Sequence, residues 1–394
     1  MTTDLPRRTR RLSSSGTSPR RYPALDGLRA LGALAVLTTH VGFTSGASLT
    51  GSYAGLLARL DMGVALFFVI SGFLLFRPHA RAAMGGTPPP SIGRYVRHRI
   101  VRIFPVLWIA VLGAMVLLPP LTAGQYADDY LRTAVLIQIY TGYEYLPGLS
   151  QMWSLATEVA FYVLLPFVAW ALRYKRIQPE RWLRRSLVTM SIAPLLSAAW
   201  VTSLTAGGAD ERLQWLPSYL GWFAAGMALA TWVCGRQSGL VARSWLDTLA
   251  GAPLILWSCA LSLYLVASTP LAGPYGLEPA VAGEALVKQV MYLAIATLLV
   301  LPCVMPSGPD NTPVAALSSR PARWFGDISY GIFAYHLVIL GLIERALDHE
   351  PFGGDFVRLL LLTALLSTAV AYVSYRWMER PLLNWVSRRD RAPG

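Results

Sequence analysis

The run ALDGLRALGALAVLTTH sets Arg29 and His40 eleven residues apart in an otherwise apolar stretch. In an α-helix that separation advances about 1100°, three turns plus roughly 20°, so both side chains share one face about 16 Å apart. A fixed cation at one depth then faces a potential base at another. Ionisable groups inside a membrane helix are costly and are functional candidates by default. Further polar groups interrupt other apolar segments. Glu158 in MWSLATEVAFYVLLPF carries a carboxylate that wants a partner, either an imidazole to orient or an arginine to hold. His336 in SYGIFAYHLVIL is a second intramembrane imidazole, which an interhelical hydrogen bond could satisfy. In SIGRYVRHRIVRIFP, Arg99 and Arg102 stand three apart and point the same way on a helix. Guanidinium pairs suit phosphates because their fixed fork donates two hydrogen bonds to two oxygens, although the same arginines would also anchor a helix on headgroups. Together these groups fit a ligand with a phosphate-rich head and a reactive end on a long arm.

Two other residues read as structural. Ser71 in FFVISGFLLF lacks a Gly-x-Ser-x-Gly elbow, so its Ser-Gly pair is expected to allow close helix packing rather than to supply a nucleophile. Asp26 precedes the first apolar run and is expected to cap its helix.

Helices must carry these side chains, and the composition provides them. Of 394 residues, 54% are hydrophobic and only 14% charged, well beyond the apolarity of a soluble domain. The expectation is an all-α, polytopic membrane protein. Ten segments are long enough, or nearly so, to cross a hydrocarbon layer: roughly 25–45, 58–76, 103–121, 149–172, 187–207, 213–234, 247–268, 284–305, 324–343 and 356–376. If all ten cross from a cytoplasmic amino terminus, the outer loops keep only Arg59, Arg132, Arg212, Lys288, Arg345 and Arg358 of the 34 basic residues. The positive-inside rule then places both termini in the cytoplasm. The net charge of +13 is explained by a basic face on anionic lipid, with no nucleic acid required. Residues 1–21 are Arg-, Ser- and Thr-rich and are expected to form a disordered basic cytoplasmic tail rather than a signal peptide. The transmembrane domain spans 22–387, and 388–394 form a short cytoplasmic tail. Cys234, Cys259 and Cys303 have no metal-ligand spacing, so neither disulfides nor a metal site is expected.

In order, ALDGLRALGALAVLTTH, GVALFFVISGFLLF, RHRIVRIFP, WSLATEVAFY, SYGIFAYHLVIL and MERPLLN resemble the motif series of the acyltransferase-3 family of integral membrane O-acyltransferases. The resemblance covers about residues 22–385. It implies about ten transmembrane helices and transfer of an acyl group, often acetyl, from coenzyme A to a hydroxyl. It further implies that His40 is the essential first-helix histidine, with Arg29 the arginine before it. Arg99 and Arg102 match the Arg-x-x-Arg pair thought to meet the coenzyme, Glu158 the acid of Trp-Ser-Leu-x-x-Glu, and His336 the histidine of the late Ser-Tyr motif. Two departures stand out. Ala65 replaces the acid that many relatives carry before Phe-Phe, so that role is missing or has moved to Asp61. Val159 and Ala160 follow Glu158, leaving one carboxylate there.

The resulting expectation is a bacterial cytoplasmic-membrane, multi-pass acyltransferase with acyl-CoA, chiefly acetyl-CoA, as co-substrate and no permanently bound cofactor. Arg99 and Arg102, with Arg29, bind the coenzyme phosphates. His40 takes the proton from an acceptor hydroxyl, Glu158 fixes the His40 tautomer or helps bind the acceptor, and His336 and Asp61 contribute to the acceptor site. The absence of an appended hydrolase-like domain points to a small acceptor such as a macrolide or its sugar. The alternatives are O-acetylation of cell-surface polysaccharide or peptidoglycan precursors, and transport of a hydrophobic small molecule.

Overall fold

The computed structural model describes residues 22–85, 87–118, 127–142, 146–173, 177–205, 210–305 and 312–390. Segments 1–21 and 391–394, and with them the expected amino-terminal tail, lie outside the described residues. Among the described residues every regular element is helical. Ten longer helices fall on the ten expected segments: α1 (Pro23–Thr44), α2 (Gly63–Ala83), α3 (Ile92–Leu117), α4 (Met152–Arg173), α5 (Pro179–Thr205), α6 (Leu216–Gln237), α7 (Pro253–Ala267), α8 (Ala282–Val304), α9 (Arg320–Ala346) and α10 (Phe356–Ser374). Two short helices, Ala54–Ala58 and Arg59–Met62, lead into α2, and a π-helical turn, Tyr375–Glu379, joins α10 to α11 (Arg380–Arg389).

Among the described residues, seven helical runs, containing α2, α3, α4, α5, α8, α9 and α10, are long and apolar enough to cross a membrane. The remaining three miss that standard for different reasons. Helix α7 is apolar but only 15 residues long. Helices α1 and α6 have 22 residues each, but α1 carries Asp26, Arg29 and His40, and α6 is diluted by glycine, serine and aromatic residues.

Helix α1 starts at Pro23, whose fixed φ and missing N–H suit a first-turn position. The expectation that Asp26 caps this helix therefore does not hold: Asp26 lies in the first turn, where a carboxylate complements the helix dipole. Helix α1 runs between two apolar cores. Leu25, Leu28 and Val36 belong to one, with residues of α2, α6 and α8. Ala33, Leu37 and Val41 belong to the other, with residues of α3 and α9. Both Arg29 and His40 are thus carried by the helix that links the two halves of the bundle.

The tightest crossing is α2 on α6. Gly72 faces the carbonyl of Phe223, and Gly226 faces the carbonyl of Val69; a β-carbon at either position would overlap that oxygen. This is the close packing expected of the Ser-Gly pair, since small residues let helix backbones touch. Aromatic stacking fills the flank, with Phe223 4.4 Å from Phe68 and 4.0 Å from Phe161 between ring centroids. We predict that Gly226→Val forces α2 and α6 apart and destabilises the protein by about 1–3 kcal/mol. The melting temperature in detergent should fall accordingly, whereas Gly283→Ala, which meets open space, should leave it unchanged.

At the other end of the sequence α11 is tied to α3. Arg97 and His98 hydrogen-bond the two carboxylate oxygens of Asp390, His98 Nε2 at 2.7 Å, and Arg94 lies 3.7 Å away. The His98 hydrogen bond, joined by Arg97, holds the Asp390 carboxyl below its ordinary range. This part of the Arg-rich run is therefore structural, which leaves Arg99 and Arg102 free to face inward.

Candidate active site

Helix α9 brings His336 against His40 from 296 residues away. His336 is fully buried and His40 half-buried. The neighbours define the tautomers. His336 Nδ1 lies 2.8 Å from the Phe333 carbonyl and 3.2 Å from that of Ile332; a carbonyl only accepts, so Nδ1 of neutral His336 carries the hydrogen. Its Nε2 is then an acceptor. His40 Nδ1 lies 3.1 Å from that Nε2 and 2.8 Å from the Val36 carbonyl, and must donate to both. The remaining nitrogen, His40 Nε2, keeps its lone pair. The chain of donors ends on backbone oxygens, so His336 positions the His40 ring and has no onward route for a proton.

A cavity lies among α1, α2, α3 and α4, lined by Arg29 of α1, Ser71 of α2, Arg99 and Arg102 of α3, Glu158 and Tyr162 of α4, and by apolar residues. Among the described residues, none of the three arginine side chains makes an ion pair or hydrogen bond, and Arg99 Nε is buried without a partner. The Arg99 guanidinium lies over the Tyr162 ring at 5.6 Å. Glu379, buried in the π-helical turn, is within electrostatic reach of Arg102 and Arg29 but hydrogen-bonds Ser374 at 3.4 Å. Three guanidinium groups around one cavity, without an ion-pair partner among the described residues, repel one another unless an anion joins them.

Glu158 lies on this cavity but makes no contact with His40. Its Oε1 accepts from Tyr162, one helical turn on, at 2.7 Å and from Ser71. The tautomer-fixing role expected of Glu158 falls instead to Val36 and His336. Phe67 and Phe333 meet edge to face at 5.9 Å in the cavity wall, and the Phe333 ring lies 6.1 Å from that of His336. Phe333 thus links the cavity wall to His336, while neither imidazole is among the residues that line the cavity. Asp61 does not line the cavity; it is bound to Lys288 at 2.7 Å and to Tyr292, both on α8, and lies within electrostatic reach of His40.

The structure therefore brings Arg29, Arg99, Arg102 and Glu158 together, pairs His40 with His336, and ties Asp61 to α8 within electrostatic reach of His40. Sequence reasoning missed Ser71, Tyr162, Tyr330 and Glu379. Tyr162 is four residues after Glu158, a spacing that puts them on one helix face. Glu379 lies within MERPLLN, a motif noted for its order and not for its carboxylate. Tyr330 lines the cavity and donates to the Ile103 carbonyl at 2.8 Å.

A bundle of apolar helices that holds arginines around an internal cavity and a tautomer-fixed imidazole describes an integral membrane protein. The chain belongs to the acyltransferase domain family, whose model matches residues 22–376, and its apolar helices give it a multi-pass membrane architecture. It is 26% identical to the peptidoglycan O-acetyltransferase OatA of Listeria monocytogenes over 386 residues, which cover 92% of this chain and 56% of that protein. It is 23% identical to O-acetyltransferase OatA of Staphylococcus aureus, over 93% of this chain and 58% of the relative. The chain thus spans about half the length of the curated relatives it matches. No solved structure matches it significantly.

Proposed function

We propose that this protein is a membrane O-acetyltransferase with ten crossing helices and both termini cytoplasmic, moving acetyl from acetyl-CoA to a sugar hydroxyl of a cell-surface polymer or its precursor. The observation that carries the reading is the set of three guanidinium groups on one cavity that have no ion-pair partner among the described residues, carried with the His40–His336 pair in one helix bundle. Arg29, Arg99 and Arg102 hold the coenzyme phosphates, and the pantetheine arm passes the Phe67–Phe333 pair to bring its thioester to His40. His40 Nε2 takes the hydroxyl proton as the acceptor oxygen attacks the thioester carbonyl; the acetyl–oxygen bond forms and the coenzyme thiolate leaves. The proton on His40 then returns to that thiolate. Glu158, Ser71 and Tyr162 offer hydrogen bonds to the pantetheine arm or the acceptor. The polymer acceptor is favoured over the macrolide expected from the sequence because the relatives named above are O-acetyltransferases, one of them named for peptidoglycan.

The test is release of coenzyme A from acetyl-CoA by the purified protein, with and without muropeptide and macrolide acceptors. Release that depends on a muropeptide supports the reading; release only with a macrolide moves the acceptor assignment, and none with any acceptor overturns it. In the same assay His336→Leu removes the acceptor that steadies the imidazolium formed on His40. A hydrogen bond to a charged group is worth about 1.5–3 kcal/mol, so kcat should fall about 10- to 100-fold with KM for acetyl-CoA unchanged. His336→Gln, whose amide oxygen can accept, should restore part of the loss; failure of both variants in equal measure would point to packing.

A further inference from the structure

Helices α3 and α4 are held apart on the lipid-facing side of the bundle. Pro166 has no N–H to return to the Tyr162 carbonyl one turn earlier, so that oxygen is released from the α4 ladder. Tyr95 of α3 donates its hydroxyl to it at 3.0 Å and bridges the two helices. An apolar groove runs along this bridge. Its sides are Val96 and Ile100 of α3 and Val163, Phe167 and Trp170 of α4, all exposed. Its floor includes Arg99, Ile103 and Tyr162, which also line the arginine-rich cavity. The groove and the cavity therefore meet at these three shared residues, and among the described residues Arg99 Nε is buried there without a partner.

We propose that this junction is a lateral opening to the bilayer that binds a lipid with an anionic phosphate head, its tail along the groove and its phosphate on Arg99. The groove walls offer a hydrocarbon chain apolar contact with no polar group to desolvate, which suits a tail and not a soluble ligand. The unpaired guanidinium at the inner end suits an anionic head, which a zwitterionic lipid satisfies less well because its own cation competes for the phosphate. The two features lie in the order of an amphiphile, tail outward and head inward. A phosphate-bearing lipid, or a substrate anchored to one, would thus present its head to the cavity directly from the membrane. The inference rests on the shape and charge of the opening and does not depend on which acyl donor or acceptor the enzyme uses.

The experiment places the full chain in phosphatidylcholine nanodiscs doped with phosphatidic acid carrying a photoreactive diazirine tail, and compares it with phosphatidylcholine carrying the same tail. Phosphatidic acid should label the 96–104 and 159–170 peptides about tenfold more than the choline lipid, the ratio that one charge-assisted contact of about 1.4 kcal/mol supplies. Val163→Trp, which fills the groove, should remove that labelling while the protein keeps its melting temperature. Arg99→Gln should abolish the preference between the two lipids and leave the choline-lipid labelling unchanged. Equal labelling by both lipids in the wild-type protein, or labelling that Val163→Trp does not alter, would overturn the proposal. Coenzyme release is not needed for this readout, so its outcome is separable from the transferase reading.

Discussion

Replacing His40 with alanine is expected to lower kcat for coenzyme release by about 10²–10⁴, the usual contribution of a general base. The argument is one of lone pairs. His40 Nδ1 is committed to the Val36 carbonyl and to His336, so Nε2 has the available pair. Alanine removes the base and leaves the three arginines in place, so binding of coenzyme A, read by calorimetry, should hold while turnover is lost. Imidazole added to the His40→Ala protein should recover part of the rate, because the small cavity left at position 40 can admit the missing ring. His40→Ala with near-normal kcat would remove the base from this site, and a matched loss of coenzyme binding would reassign His40 to binding.

How much of this site a sequence can show depends on whether the partners share a helix. Arg29 and His40 lie on one helix, as do Arg99 and Arg102, and helical period alone places each pair on a face. The contact between His40 and His336 joins α1 to α9 across 296 residues, and no local pattern encodes it. Glu158 marks the boundary between the two cases. Its bond to Tyr162 follows from the one-turn spacing, while its bond to Ser71 depends on how α2 meets α4. Ser71 was expected to serve packing, and that role falls to Gly72, which touches α6 while its neighbour turns toward the cavity. Asp26 looks like a cap in the sequence, but Pro23 begins the helix and leaves Asp26 inside its first turn. The location of the helices was legible because burying a backbone in hydrocarbon leaves few alternatives to a helix. Crossing counts are harder to read where function puts charge into a span, as Arg29 and His40 do in α1.

The second large effect is expected at the arginines, and it should come with an opposite effect on stability. Arg99→Gln and Arg102→Gln each remove charge-assisted hydrogen bonds to phosphate, worth about 1.5–3 kcal/mol, so KM for acetyl-CoA should rise about 10- to 100-fold with kcat little changed. The double variant should lose less than the product of the two, because adjacent guanidinium groups share one phosphate cluster. Binding should also lose part of its salt dependence, since fewer charges are then screened. In the free protein the same arginines face one another without an ion pair among the described residues. Removing one relieves like-charge repulsion, so each single variant should melt at or above the wild-type temperature without coenzyme and gain less on adding it. Arg97→Gln is the control, because Arg97 is spent on Asp390; it should cost stability and leave KM alone. Should Arg102→Gln instead melt lower and keep its KM, the cluster would be a structural network with Glu379, and the coenzyme phosphates would have to bind elsewhere.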